Sequence, residues 1–210
     1  MAVAYSGLTF KNTSGGTLTG LTAGQFVLVY AFRSGSNSKP TIPGGWTNIT
    51  AGVTANSAGS QVAYQFATGS SLVTGTFTNA TNCVFAVYNG VDPMTPIGAS
   101  DVSTGASTTV TYPALPLVDT SGSSWVVGFG GHRSTNTTIE VAPSGMTNRD
   151  SQIATGEVAV HDTNGGVTSW SVVSPSVGGT SSGWGCYTVE LRAASGGGGG
   201  GNTSSFFAFF

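Results

Sequence analysis

Gln25-Phe26-Val27-Leu28-Val29-Tyr30-Ala31 decides the fold, because it returns later in the chain as Ser124-Trp125-Val126-Val127-Gly128-Phe129-Gly130. A strand with one wet face alternates apolar and polar residues. Here Phe26, Leu28 and Tyr30 interleave with Val27 and Val29, and Trp125, Val127 and Phe129 interleave with Val126 and Gly128, so both faces are apolar. That pattern predicts two central strands, each covered on both sides. The runs are short, β-branched and aromatic, bounded by polar and glycine residues, and carry no helix caps.

Further landmarks recur in the same order. Pro43-Gly44-Gly45-Trp46-Thr47-Asn48 answers to Pro143-Ser144-Gly145-Met146-Thr147-Asn148, and Arg33-Ser34 is echoed by Arg133-Ser134. Gln61-Val62-Ala63-Tyr64 matches Glu157-Val158-Ala159-Val160, and Cys83-Val84-Phe85-Ala86-Val87 matches Cys186-Tyr187-Thr188-Val189-Glu190. Trp170 aligns roughly with Phe77, leaving about ten extra residues before Cys186 in the second half. Repeat halves at about 24–91 and 123–193 are expected, joined through Asp92-Pro93-Met94-Thr95-Pro96, whose prolines cannot donate to a ladder. Thr108–Leu117, broken by Pro113 and Pro116, reads as an edge strand. Each half offers too few strands for a core of its own. The expectation is therefore all-β: a single β-sandwich, jelly-roll-like, over residues 1–194.

Composition removes several functions. Only 7% of the 210 residues are charged while 39% are apolar, so polarity comes from Ser, Thr, Asn and Gly, as suits a turn-rich β protein. Six Lys plus Arg against eight acidic residues, for a net charge of −2, exclude the basic footprint that nucleic acid requires. No apolar run is long enough to span a membrane as a helix. Met1-Ala2-Val3-Ala4-Tyr5-Ser6 lacks the basic and apolar regions of a secretory signal, so export by the general secretory route is not expected.

Catalytic chemistry is sparse. The carboxylates are Asp92, Asp101, Asp119, Glu140, Asp150, Glu157, Asp162 and Glu190, and none belongs to a recognisable motif. Sugar hydrolysis needs a pair flanking a cleft. His161 and Asp162 are adjacent on a predicted strand and point to opposite faces, so they do not cooperate; His132 and His161 are expected at the surface or in turns. Cys83 and Cys186 occupy matching repeat positions: they read as two buried thiols, with a pair facing one another across a pseudo-dyad as the alternative, and no spacing suggests zinc. Trp125 reads as a repeated core position. Trp46 and Trp184 lie among turn glycines and are the candidates for glycan contact, with packing beneath a loop as the alternative for each. No catalytic, cofactor or metal site is expected.

The chain ends on Gly196–Gly201, then Asn202-Thr203-Ser204-Ser205 and Phe206-Phe207-Ala208-Phe209-Phe210. Six glycines cannot contribute to a core, and four phenylalanines beyond them need a berth. Phe206, Phe207, Phe209 and Phe210 are therefore expected to dock on a neighbouring subunit, with residues 195–210 as tether and plug; a tail that folds back onto its own domain is the alternative. Oligomerisation would multiply the attachment by presenting several tails together, so a homo-oligomer is expected.

Gly24–Phe32, Pro43–Thr47, Val62–Ser70, Val87–Pro93 and Ser182-Gly183-Trp184 together resemble β-sandwich structural proteins of tailed bacteriophages. The resemblance is one of pattern and covers roughly residues 5–194. It implies a virion component displayed on the head, collar or tail, with no catalytic residues to carry over. Its partners would be other virion proteins, and it would be assembled in the host cytoplasm and located on the virion. Two further functions suit the same sandwich: a host-glycan-binding, lectin-like module, and a polysaccharide-degrading enzyme.

Overall fold

The computed structural model describes residues 1–194; the glycine tether and the four candidate docking residues Phe206, Phe207, Phe209 and Phe210 lie outside the described residues. No helix occurs among them. The strands are β1 (Ala4–Asn12), β2 (Thr17–Thr19), β3 (Phe26–Ser34), β4 (Thr47–Asn48), β5 (Val53–Ala55), β6 (Ala58–Phe66), β7 (Ser71–Val73), β8 (Asn82–Asn89), β9 (Ile97–Ser107), β10 (Trp125–His132), β11 (Thr147–Ile153), β12 (Glu157–Asp162) and β13 (Ser182–Leu191).

Two antiparallel sheets stack into a β-sandwich. The first runs β1-β8-β3-β6-β4, with β5 also on β6; the second runs β11-β12-β10-β13-β9. β3 and β10 are central in their sheets. Phe26, Leu28, Tyr30 and Phe32 meet Trp125, Val127, Phe129 and Tyr187 in the core between the sheets. Val27, Val29 and Ala31 face the other way, under a cover built from Leu18, Leu21, Trp46, Leu72 and Phe77. On the second sheet Val126 packs beneath Leu115 and Trp170, and Ala159 and Cys186 beneath Val110, Tyr112, Ile139 and Val177. The doubly apolar strands are thus buried on both faces because each sheet carries its own outer cover.

Hydrogen bonds cross the seam in both directions. The Tyr30 hydroxyl donates to Gly185 C=O (2.7 Å), and the Tyr187 hydroxyl donates to Ser60 C=O (2.9 Å). Both phenols are buried, so each bond satisfies a group whose desolvation would otherwise destabilise the fold.

The chain completes one sheet before it begins the next. That differs from the jelly-roll-like winding expected, in which successive strands alternate between sheets. Corresponding ladders carry corresponding residues: Ala31 lies opposite Cys83 as Gly130 lies opposite Cys186, and Thr47 pairs with Tyr64 as Thr147 pairs with Asp162. Gly45 and Gly145 both hold positive φ in the turns that precede these threonines. One sequence match slips. Gln61 lies opposite Ala31, but Ala159, not Glu157, lies opposite Gly130. Trp170 bridges Leu115 in the second sheet's cover, and Leu72 pairs with Leu18 in the first sheet's. Thr108–Leu117 is not an edge strand. It touches 170–176 through isolated bridges and forms the second sheet's cover.

Candidate functional site

The end of the sandwich from which residues 195–210 depart is built from both termini and from the connector between the halves. The Ala194 N–H donates to Gly90 C=O (2.8 Å), and the Met1 ammonium donates to Ala194 C=O (3.0 Å). Gly90 has φ +71°, and a side chain there would collide with Ala2 C=O, so glycine is what admits the N-terminal strand against the C-terminal one. Asp92 N–H donates to Arg192 C=O (2.9 Å), and Arg192 N–H donates to Pro96 C=O (2.9 Å), fastening the connector across the same pole.

A shallow depression opens there, lined by Met1, Ala2, Asp92, Asp119, Ser123 and Arg192. Its charges are mixed. Asp92 accepts the N–H of Met94 (2.8 Å), which holds its carboxyl below the usual range. The hydroxyls and amide of Ser121 and Ser123 bring Asp119 down to about 2. Arg192 donates to Thr95 Oγ1 (2.9 Å). Around this polar floor Met1 and Met94 stand 77% and 86% exposed. The pole can fix the root of the tail and offer a small apolar rim.

The glycan candidates are corrected by burial. Trp46 and Trp184 are 9% and 6% exposed. Trp46 Nε1–H donates to Thr74 C=O (2.9 Å), with its ring beside Phe77 and Phe85. Trp184 Nε1–H donates to Ser107 Oγ (3.1 Å), and its ring covers Gly105. The glycines near these tryptophans make room for indoles rather than expose them. Neither ring presents a flat face to a sugar.

The histidines are corrected as well: both are buried in strands, not in turns or at the surface. His132 Nε2 meets Ser107 C=O (2.9 Å), while Nδ1 accepts Ser134 N–H (3.0 Å). Burial lowers its pKa. His161 Nε2 meets Ile139 C=O (3.1 Å), Nδ1 has no partner, and burial brings the imidazole down to about 4. Both are neutral at pH 7, and His161 and Asp162 do point to opposite faces.

Asp162, Glu190 and Asp150 are committed to the fold. Asp162, fully buried, accepts Arg149 Nε and Nη2 (2.7 Å each), the Tyr88 hydroxyl (3.0 Å) and Asn164 N–H (2.8 Å). Glu190 accepts Val118 N–H, Asp119 N–H and the Ser124 hydroxyl, pinning a loop. Asp150 takes Lys11 Nζ (3.0 Å) and Thr9 Oγ1 (2.8 Å) from β1. Glu157 is the exception. Burial, then the neighbouring Glu140 carboxyl, pushes it up to about 7. Thr137 Oγ1 donates to its Oε2, while Glu157 Oε1 and Glu140 Oε2 have no hydrogen-bond partner. This acid pair was not singled out from the sequence, since nothing local distinguishes Glu140 or Glu157 from the other six carboxylates.

Cys83 and Cys186 are free and buried, in β8 and β13 beneath the covers on opposite outer sides of the sandwich. They therefore do not face one another across a pseudo-dyad. No group of three or more His, Cys, Asp or Glu suited to a metal occurs among the described residues. No protein-family model, curated protein or solved structure matches this chain.

Proposed function

We propose that this chain is a non-enzymatic structural subunit of a tailed-bacteriophage virion, a head decoration, collar or tail appendage held to neighbouring subunits by residues 195–210. The observation that carries the reading is the anchored root of the tail. Ala194 is bonded through both its main-chain groups to Gly90 and Met1, so pull on the tail passes directly into both sheets. The remainder of the support is the sequence resemblance and the commitment of the polar side chains. Asp150, Asp162 and Glu190 are engaged in structural bonds, as are both histidines. The lectin-like alternative loses its two candidate contacts to burial.

Mass spectrometry of purified particles made by the genome that encodes this chain tests the proposal. The chain is expected at a copy number in simple ratio to the major capsid or tail subunit, and Phe206, Phe207, Phe209 and Phe210 all changed to Ser should remove it from particles while leaving the body folded. Its absence from purified particles would overturn the virion reading. Normal incorporation of the serine variant would overturn the docking role of the tail alone.

A further inference from the structure

Asn-Gly occurs twice in the chain, at Asn89-Gly90 and Asn164-Gly165, and the fold treats the two differently. A glycine after asparagine carries no side chain to shield its main-chain nitrogen, so that nitrogen can attack the side-chain amide one residue back. Asn89 closes β8, is half-buried and lies opposite Ala4 of β1. Its Oδ1 accepts the neutral amide of Gln25 (3.1 Å), and Gly90 is pressed against Ala2 C=O.

Asn164 is exposed, in the loop that follows β12. Its φ of +50° is left-handed, a conformation asparagine tolerates. The space beside Gly165 is open, and its N–H makes no hydrogen bond among the described residues. Arg149, from β11, donates Nη2–H to Asn164 Oδ1 (2.6 Å) while also holding Asp162. Asn164 N–H donates to Asp162 Oδ1 (2.8 Å), so the same carboxylate fixes the root of the loop. A guanidinium on Oδ1 does two things. It draws electrons from the amide carbon, and it stands where negative charge develops when that carbon is attacked.

We propose that Asn164 is a self-modification site, at which the Gly165 nitrogen closes on Asn164 Cγ while Arg149 holds the oxyanion on Oδ1. The Gly165 N–H proton goes to solvent hydroxide, and the N–Cγ bond forms as Oδ1 takes the electron pair. The intermediate then collapses: the Cγ–Nδ2 bond breaks, and Nδ2 takes a proton from water and leaves as ammonia. Water opens the cyclic imide at either carbonyl. Attack at Cγ restores the main chain with aspartate at 164. Attack at the main-chain carbonyl leaves the chain running through the side chain, one carbon longer. Either product adds a negative charge to a chain of net −2, beside the arginine that fully buried Asp162 depends on. The longer chain also has no slack to enter. Thr163 N–H on Val126 C=O (3.0 Å) and Val167 N–H on Ser124 C=O (2.9 Å) pin both ends of the loop. Between them Gly166 lies so close to Gly122 C=O that even a Cβ would overlap it. The inference stands independently of the virion reading.

Peptide mapping by mass spectrometry of the full chain, aged in mildly alkaline buffer, tests it. Asn164 should show amide-to-acid conversion roughly tenfold or more faster than Asn89, with the β-linked product present. In urea, where Arg149 is no longer placed, Asn164 should slow towards the rate of Asn89. Gly165→Ala fits the open space and should slow conversion at Asn164 severalfold while leaving Asn89 as it was. Arg149→Lys keeps a cation for Asp162 but loses the planar fork, and should slow Asn164 too. Aged protein should melt a few degrees below fresh protein. Equal rates at the two asparagines in the folded chain overturn the proposal, as does a conversion at Asn164 that speeds up on unfolding. Unchanged conversion in a folded Arg149→Lys variant overturns the oxyanion role of Arg149; should that variant misfold, the comparison of native with urea-unfolded chain decides the same point.

Discussion

Glu157 and His161 lie on the outer face of β12 with Ala159 between them, and their titrations oppose each other. Glu157 is raised from 4.5 to about 7 by burial and by Glu140; His161 is lowered from 6.5 to about 4 by burial. Between pH 4.5 and 7 the folded protein keeps a proton on Glu157 that the unfolded chain has released, so this group makes stability fall as pH rises. Between pH 4 and 6.5 the unfolded chain carries a proton that folded His161 refuses, so that group makes stability rise with pH. Each displacement corresponds to an upper bound of about 3 kcal/mol, which partial solvation beside the 137–141 loop reduces to about 1–3 kcal/mol. His132, also lowered by burial, adds to the rising side. In the native chain the two effects offset over most of the shared window, and the stability curve should be nearly flat there. Glu157→Gln should unmask the histidines, giving a rise of about 1–3 kcal/mol from pH 4 to 6.5. His161→Gln should unmask the acid, giving a fall of similar size from pH 4.5 to 7. Urea unfolding followed by tryptophan fluorescence at half-unit pH steps measures both. If the Glu157→Gln profile ran parallel to the native one across this window, the opposition of the two groups would be refuted.

Other consequences are simpler. Arg149→Ala leaves the fully buried Asp162 without its two guanidinium bonds, and should destabilise the protein by about 3–5 kcal/mol in urea unfolding; a loss below about 1 kcal/mol would mean that water replaces the arginine. Burial pushes the Cys83 thiol up to about 12 and Cys186 upward too, so neither should react with an aromatic disulfide reagent until the protein unfolds. Trp46→Ala should cost about 3–5 kcal/mol of stability, read from the unfolding midpoint, and leave glycan-array signals where they were.

The central strands were legible because apolar residues at both parities leave a strand no wet face. The turn pairs at Gly45 and Gly145 were legible because positive φ restricts the residue type. What escaped was set at long range. Gln61-Val62-Ala63 matches Glu157-Val158-Ala159 by letter, whereas register is fixed by pairing with β3 and β10. The covers escaped because 108–117 and 170–176 lack a sustained ladder, and their role is visible only where Leu115 and Trp170 lie over Val126. His132 and His161 were placed in water because imidazoles are polar. Burial is decided by segments distant in sequence: 137–141 arrives over His161, and Ser107 over His132.

The same residues explain why neither half stands alone. Cut between β8 and β9, the first sheet would keep its outer cover but lose the second-sheet side chains that pack on Phe26, Leu28, Tyr30, Phe32, Ala86 and Tyr88. Tyr30 would lose Gly185 C=O as its acceptor, and Tyr88 would lose the Asp162 carboxylate. The second half would expose Trp125, Val127, Phe129 and Val160 and strand Tyr187, whose acceptor is Ser60 C=O. Main-chain ladders are completed within each half, so secondary structure alone would permit two small domains. Side-chain burial does not. The seam carries the largest apolar cluster and reciprocal phenol bonds, and burying those surfaces against each other is what makes one cooperative sandwich from two similar sheets. Because the seam is closed at the pole by Met1, Gly90 and Ala194 together, the tail is rooted in that shared unit and not in the second sheet alone.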